Sequence, residues 1–156
     1  MSGIISFVVI ASVLDGLEGS GLFGLEFRQE AMERLAKLPG YDWCGVYRLE
    51  GDVLVLDAFV GEETEHTRIP VGVGVCGTAV AEGRNQIVED VTALANYLSC
   101  SVSTRSEIVV LIRGTEGRVL GQIDVDGHEV GAFGAADERM LEELATILAS
   151  RWEAVK

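Results

Sequence analysis

Two pairs of apolar segments, each pair joined by a short turn, constrain the fold of this 156-residue chain more than any other feature. Residues 43–49 and 53–60 form the first pair, with a glycine in the turn between them. Residues 107–113 and 118–126 form the second, joined by a turn that begins and ends with glycine. Strands joined by so few residues pair antiparallel, as hairpins. The sequence therefore predicts an antiparallel sheet and argues against a doubly wound parallel one.

Amphipathic helices are predicted on either side of these hairpins. Over residues 26–38, apolar side chains recur at three- and four-residue steps, and Pro39 and Gly40 end the pattern. The C-terminal segment carries a comparable apolar stripe, with acidic residues suited to its first turn. A shorter helix is predicted over residues 74–83. We expect a single α+β domain, a central antiparallel sheet with its N- and C-terminal helices packed on one face.

The net charge and the N-terminal segment indicate which partners and which compartment to expect. Twelve basic residues against 25 acidic ones give a net charge of −13, which repels phosphate backbones and anionic lipid surfaces. We therefore expect neither a nucleic-acid nor a membrane partner. Residues 1–14 are apolar but lack the basic start of a signal peptide, because the first Lys or Arg is Arg28. Residues 1–25 are interpreted as a packed N-terminal extension, residues 26–156 as the domain, and the cytoplasm as its compartment.

Two apparent motifs are rejected. Residues 72–77 match the dinucleotide-binding pattern G-x-G-x-x-G, but no parallel strand is predicted before them. The position twenty residues beyond, where that motif needs an acid, is Tyr97. His66 and His128 are not spaced with the cysteines as local metal-ligand pairs, so no metal is expected.

The three cysteines contain no C-x-x-C pair, which argues against a disulfide framework or a zinc ribbon. Cys44 lies in an apolar strand, where a free thiol behaves as a small hydrophobe. Cys76 opens a helix in a glycine-rich turn, a location that favours the thiolate. Cys100 lies in a hydroxyl-rich loop near Arg105. From the residues alone, Cys76 and Cys100 are each as readily structural as reactive.

Three acids are candidates for proton transfer. Glu107 leads a hydrophobic strand and can point into a pocket, while Asp124 and Asp126 face the same side of the last strand. If the three lie close together and buried, mutual repulsion raises at least one pKa, and a carboxyl held neutral in this way can donate a proton. The alternative is that Asp126 only ends its strand.

Four segments together resemble the free methionine-(R)-sulfoxide reductases, GAF-fold enzymes that reduce the free amino acid. The segments are residues 41–47, 68–79, 100–110 and 120–126, in the order in which the family has them. The combination of G-x-C-G-T-A with a later C-x-x-x-x-R-S-E-I-V-V is specific, whereas the GAF fold by itself is not. The likeness runs from about Trp43 to the C-terminal helix and leaves out residues 1–25.

The resemblance implies a redox role for two cysteines. Cys100 would attack the sulfoxide sulfur and become a sulfenic acid, and Cys76 would resolve it as a disulfide that thioredoxin reduces. No cofactor is implied. Many members have a third cysteine just before R-I-P, where this chain has Glu65-His66-Thr67, so it resembles a branch with two active cysteines.

The resemblance also implies a substrate pocket. Glu107 and Asp126 would hold and protonate the sulfoxide oxygen, and Asp124 would bind the substrate ammonium. Trp43 and Tyr47 would wall the part of the pocket that holds the methyl group. Two other functions remain open, a GAF sensing module that binds a small molecule without turnover and a thiol switch without a substrate. A homodimer is compatible with the apolar N-terminal run.

Overall fold

The protein is described here from a computed structural model that covers residues 13–94 and 103–153. Its strands are β1 (Trp43–Glu50), β2 (Val53–Val60), β3 (Arg68–Pro70), β4 (Gln86–Val88), β5 (Ser106–Arg113) and β6 (Val119–Gly127). Its helices are α1 (Gly24–Leu35), α2 (Gly74–Glu82) and α3 (Ala135–Ser150), with short 3₁₀ turns at Glu18–Ser20, Val91–Ala93 and Thr115–Gly117. In this part of the chain, no helix is both long enough and apolar enough to cross a membrane.

The six strands form one sheet in the order β3-β2-β1-β6-β5-β4. Both predicted hairpins are present, and every neighbouring pair in the sheet is antiparallel. The two hairpins meet where β1 pairs with β6, with Trp43 opposite Asp126 and Arg48 opposite Gly121. The expected antiparallel sheet is confirmed.

Helices α1 and α3 lie on one face of the sheet, as predicted. They bury a core with the side chains that β1, β5 and β6 turn to that face, including Phe27, Met32, Val46, Ile108, Val110, Ile123, Met140, Leu144 and Leu148. The termini of the two helices are tied together, since the Gly24 amide donates to the Arg151 carbonyl at 2.9 Å. Arg28 adds an ion pair with Asp57 of β2 and a 2.6 Å hydrogen bond to the Trp152 carbonyl.

The opposite face of the sheet carries α2 and a second, smaller core. Its buried members are Trp43, Tyr47, Leu54, Ile69, Val75, Cys76, Ala79, Val109 and Leu111. Helix α2 ends at Glu82, and the next residue, Gly83, has a φ of +68°, the left-handed conformation that glycine commonly adopts after a helix. Its start lies against the turn after β3, because a Cβ on Gly77 would stand 2.5 Å from the Pro70 carbonyl oxygen. The glycines of the rejected dinucleotide motif thus serve a tight turn after an antiparallel edge strand.

The structure differs from the sequence-based expectations at several element ends. Helix α1 begins at Gly24 and ends at Leu35, three residues before the predicted end, because residues 36–38 form a turn that leads into Pro39. Strand β3 was not predicted, since it has only three residues and one is a proline, which only an edge strand tolerates. The prediction for residues 1–14 lies largely outside the described residues, but Val13 and Leu17 are buried in the larger core.

Cys44 lies on the helix-covered face, in the interior of the larger core. Burial raises the pKa of its thiol well above the ordinary value, and the negative charges of Asp126, Asp124 and Asp42 act in the same direction. The thiol therefore stays protonated, as expected of a cysteine that fills space.

A buried hydrogen bond joins the start of α3 to the segment that leads into β1. The Tyr41 hydroxyl donates to Asp137 at 2.5 Å, and the other carboxylate oxygen of Asp137 accepts from the Gly134 amide at 2.8 Å. Burial raises the pKa of Tyr41 far above its ordinary value, and the hydrogen bond and negative charge of Asp137 raise it further. The phenol therefore keeps its proton and remains a donor.

Tyr41→Phe is expected to destabilise the fold by about 1.5–3 kcal/mol, the usual worth of a buried hydrogen bond to a charged group. Urea unfolding of Tyr41→Phe, Asp137→Asn and the double variant measures the coupling between the two side chains. Additive losses in the double variant would contradict the assigned interaction.

Candidate active site

The site lies on the α2 face of the sheet, where the register of β5, β6 and β1 sets side chains in three rows. The first row is Glu107, Asp126 and Trp43; the second is Val109, Asp124 and Gly45; the third is Leu111, Gln122 and Tyr47. Because side chains alternate between faces, all nine positions face the same side of the sheet. Residues far apart in the chain therefore converge on one surface.

The three predicted acids lie together and are almost wholly buried. Glu107, Asp124 and Asp126 are 2%, 0% and 1% exposed. Glu107 is directly opposite Asp126 across the β5–β6 pair and diagonal to Asp124. Carboxyls this close and this far from water cannot all carry a negative charge without a large electrostatic cost.

Glu107 is the acid whose protonation state this arrangement alters most clearly. Desolvation raises its pKa well above the ordinary value, and the charges of Asp124 and Asp126 and a hydrogen bond with Asp124 raise it further. A hydrogen bond with Cys76 acts in the opposite direction and is outweighed. The arrangement therefore favours the neutral form of the Glu107 carboxyl at the start of β5.

Cys76 brings a thiol to these acids from α2. It is the third residue of the helix and 5% exposed, with its Sγ 3.8 Å from Glu107 Oε2. One ligand atom from each of Cys76, Glu107 and Asp124 lies within 4.8 Å of the others. This is the one cluster in residues 13–94 and 103–153 with the donor types and spacing of a metal site, and neither histidine belongs to it.

Trp43 is held beside the acids by close glycine packing. A Cβ on Gly45 would lie 2.4 Å from its ring, and a Cβ on Gly61 would lie 2.5 Å from it, so both positions need glycine. The indole Nε1 donates to the Glu62 carbonyl at 2.9 Å, and Phe59 stacks on the ring at a centroid distance of 5.7 Å. The ring is therefore fixed over Gly45, in the row that holds Asp124.

Tyr47 is fixed at the far end of the same face. Its side chain is buried, and its hydroxyl donates to the backbone carbonyl of His66 at 2.8 Å. This bond ties β1 to the segment in which many members of the resembled family have a third cysteine. Here that segment offers a backbone carbonyl, and His66 contributes no ligand atom to the cluster of Cys76.

One polar residue of the site was missed from the sequence. Gln122 is 0% exposed, and neither its Oε1 nor its Nε2 has a hydrogen-bond partner in the described part of the chain. Its spacing two residues before Asp124 was the available signal, because it places both on one face. The remaining predicted site residue, Cys100, lies outside the described residues.

Chemically, this surface combines a thiol, a neutral acid and further buried carboxyl groups beside a rigid aromatic wall. The acid can protonate a poor leaving group, and a carboxylate can pair with a cation that would otherwise be costly to bury. The two aromatic rings offer an apolar surface.

Comparisons with known proteins agree on the family. The GAF domain family matches residues 26–153. The free methionine-R-sulfoxide reductase of Escherichia coli is 39% identical over 112 residues, which are 72% of this chain and 67% of the relative. The type II free methionine-R-sulfoxide reductase of Thermoplasma acidophilum has a TM-score of 0.77 at 41% identity, covering 82% of this chain and 94% of that one.

The free methionine-R-sulfoxide reductase of Neisseria meningitidis, whose structure is a complex with its substrate, has a TM-score of 0.78 at 35% identity. That match covers 92% of this chain and 83% of the other. On the combined strength of sequence identity, coverage and fold, this chain belongs to the free methionine-R-sulfoxide reductase family of GAF-domain proteins.

Proposed function

We propose that this chain reduces the R epimer of free methionine sulfoxide to methionine. The observation that carries the proposal is the convergence of Cys76 with Glu107, Asp124 and Asp126 on one buried face, in a member of this family. A binding module has no need of a thiol within hydrogen-bonding distance of an acid kept neutral. A sulfoxide reductase needs both groups.

In the first step, the Cys100 thiolate attacks the sulfoxide sulfur. The sulfoxide oxygen is a poor leaving group until it is protonated, so Glu107 donates a proton to it, with Asp126 holding the same oxygen. The sulfur–oxygen bond breaks, the oxygen is transferred to Cys100 as a sulfenic acid, and methionine is released. The substrate gains two electrons, and Cys100 loses them.

In the second step, Cys76 attacks the Cys100 sulfenic acid. A disulfide forms and water leaves, which returns the oxidised sulfur along a reversible path. A dithiol donor, proposed to be thioredoxin, then reduces the disulfide and restores both thiols. Such a cycle suits the cytoplasm, where thiols are kept reduced.

The remaining site residues place the substrate. Asp124 is the proposed partner of the α-ammonium group, because a buried cation needs an opposite charge. Trp43 and Tyr47 form the proposed wall around the methyl group, and the fixed geometry of both rings supports this role. We also propose a homodimer, which light scattering on the purified protein would test against the monomer mass of 16.7 kDa.

Turnover of resolved epimers tests the function directly. The purified protein, with thioredoxin, thioredoxin reductase and NADPH, is given the R and the S epimer of free methionine sulfoxide in separate reactions. We expect NADPH oxidation and methionine formation with the R epimer only. Methionine binding without turnover of either epimer, under dithiothreitol as well as thioredoxin, would favour the sensing module.

Serine substitutions at the three cysteines are expected to have three different outcomes. Cys100→Ser abolishes methionine formation, whereas Cys76→Ser yields one methionine per chain and then stalls because the sulfenic acid is not resolved. Cys44→Ser is the matched control and keeps its turnover, since Cys44 lies on the opposite face of the sheet. Single-turnover quantification of methionine measures all three, and a burst from Cys100→Ser in place of Cys76→Ser would reverse the assigned roles.

Glu107→Gln is expected to lower kcat by about 10²–10⁴-fold, because the amide keeps the shape but cannot transfer a proton. In the parent protein, kcat/KM should fall as the pH rises through the raised pKa of Glu107. Steady-state kinetics from acid to alkaline pH measure both effects.

Glu107→Gln is also expected to change how the stability of the fold depends on pH. A carboxyl whose pKa is raised on folding binds its proton more tightly in the folded state, so stability decreases as the pH rises above the unfolded value, about 4.3. Glu107→Gln should therefore reduce the decline in Tm on the alkaline side. An unchanged decline would contradict the neutral, buried state of Glu107.

A further inference from the structure

The cluster of Cys76, Glu107 and Asp124 is suited to a second chemistry that sulfoxide reduction does not use. One side-chain donor atom from each residue lies within 4.8 Å of the others, and all three residues are buried. The reduction proposed above needs a protonated acid and a thiol that is free to attack a sulfenic acid. Once deprotonated, the same groups are one thiolate and two carboxylates, which are common ligands of zinc.

The spacing of these donors fits a tetrahedral ion. Zinc–sulfur bonds of about 2.3 Å and zinc–oxygen bonds of about 2.1 Å place a sulfur and an oxygen ligand about 3.6 Å apart. Cys76 Sγ and Glu107 Oε2 are 3.8 Å apart, so an ion between them needs little movement of either side chain. The donor of Asp124 is at most 4.8 Å from each of them and completes three ligands, with the fourth position left to water.

A second oxygen of Glu107 points to the same conclusion independently. The residue is 2% exposed, and its Oε1 has no hydrogen-bond partner in the part of the chain that the structure describes. A buried carboxyl oxygen that accepts no hydrogen bond is unfavourable for folding. Because Glu107 already supplies a donor atom to the cluster, a cation bound there gives this carboxyl the partner that the fold does not.

The charges at the site favour a divalent ion. Glu107, Asp124 and Asp126 repel one another when they are ionised on this buried face, and a bound cation offsets that repulsion. On binding, the Cys76 thiol and the Glu107 carboxyl each release one proton to solvent. The site thus exchanges two protons for one divalent ion, and its net charge does not change.

The donor types select among the divalent ions. Mg²⁺ and Ca²⁺ take oxygen ligands, and Mg²⁺ also requires octahedral geometry. Zn²⁺ accepts thiolate and carboxylate together in a tetrahedral site.

We propose that the reduced protein binds one Zn²⁺ ion through Cys76, Glu107 and Asp124, and that this ion inhibits the enzyme. The ion occupies the proton donor, the resolving thiol and the carboxylate assigned to the substrate ammonium. A disulfide between Cys76 and Cys100 removes one ligand, so the oxidised protein releases the ion. The inhibition rests on the proposed function, whereas the site itself does not.

Metal titrations of the reduced protein test the site apart from turnover. Zn²⁺, titrated against a chromophoric zinc indicator, should bind at one ion per chain, and excess Mg²⁺ should not displace it. Co²⁺ alone should produce a thiolate-to-cobalt charge-transfer absorption. Cys76→Ser should abolish this absorption and weaken zinc binding by more than about 100-fold, since a direct ligand is worth more than the roughly 10–100-fold of an outer partner.

Three further variants separate this site from other thiol sites. Asp124→Asn keeps every thiol and should still weaken zinc binding by more than about 10-fold, because a charged ligand is lost. Cys44→Ser is the matched control and should bind zinc as the parent does, since Cys44 lies on the opposite face of the sheet. Cys100→Ser should also bind zinc with the parent affinity, because Cys100 is not a ligand.

Inhibition is measured in a single turnover without thioredoxin. The reduced parent protein, loaded with zinc, should form no methionine from the R epimer until EDTA is added. The zinc-free protein should form it at once.

Four results would overturn the proposal. They are parent-like zinc affinity in Cys76→Ser, parent-like affinity in Asp124→Asn, loss of zinc binding in Cys100→Ser, which would indicate a site between the two redox thiols, and methionine formation by the zinc-loaded protein at the zinc-free rate. Failure of the proposed function is a separate outcome, in which the reduced, zinc-free protein forms no methionine while zinc binds to the parent and its variants as expected.

Discussion

The pairing of β1 with β6 is the contact on which the rest of the molecule depends. Each hairpin can form locally, but a single hairpin exposes two edges and has little apolar surface to bury. Joining the hairpins creates one sheet with two faces, one large enough for α1 and α3 and the other covered by α2. The same register sets Trp43 opposite Asp126 and Gly45 opposite Asp124, so the contact that closes the core also assembles the site.

The site is a region in which stability is given up for chemistry. Three carboxyl groups and an amide occupy positions that apolar side chains would fill at lower cost, and Glu107 must hold a proton to be tolerated there. The surrounding structure compensates through rigid packing, such as the close approach of Gly45 and Gly61 to the Trp43 ring. Proteins commonly show this opposition between a functional site that costs stability and a scaffold that supplies it.

The sequence allowed prediction of what is local. Turn length and alternation located the hairpins, and the same alternation placed Asp124 and Asp126 on one face. It could not show that Glu107 stands opposite Asp126, because that depends on the register between strands and on nothing in either strand alone. β3 was missed because three residues carry too little periodicity, and Gln122 was passed over because an isolated amide in a strand carries no motif. The redox role of Cys76 was expected only from the family resemblance, and the contact of its thiol with Glu107 became visible only in the structure.

The two faces of the sheet also separate the two thiols in the described part of the chain, Cys44 and Cys76. Cys44 and Asp124 belong to neighbouring strands, yet their side chains leave the sheet in opposite directions, with the hydrogen-bonded backbone between them. Because the pKa of Cys44 is raised, its thiol does not form the thiolate that reacts with alkylating agents, peroxides and disulfides. The sheet thus acts as a chemical partition: a reagent that approaches Cys76 from the α2 face does not meet Cys44, and the backbone of the sheet blocks a disulfide between the two.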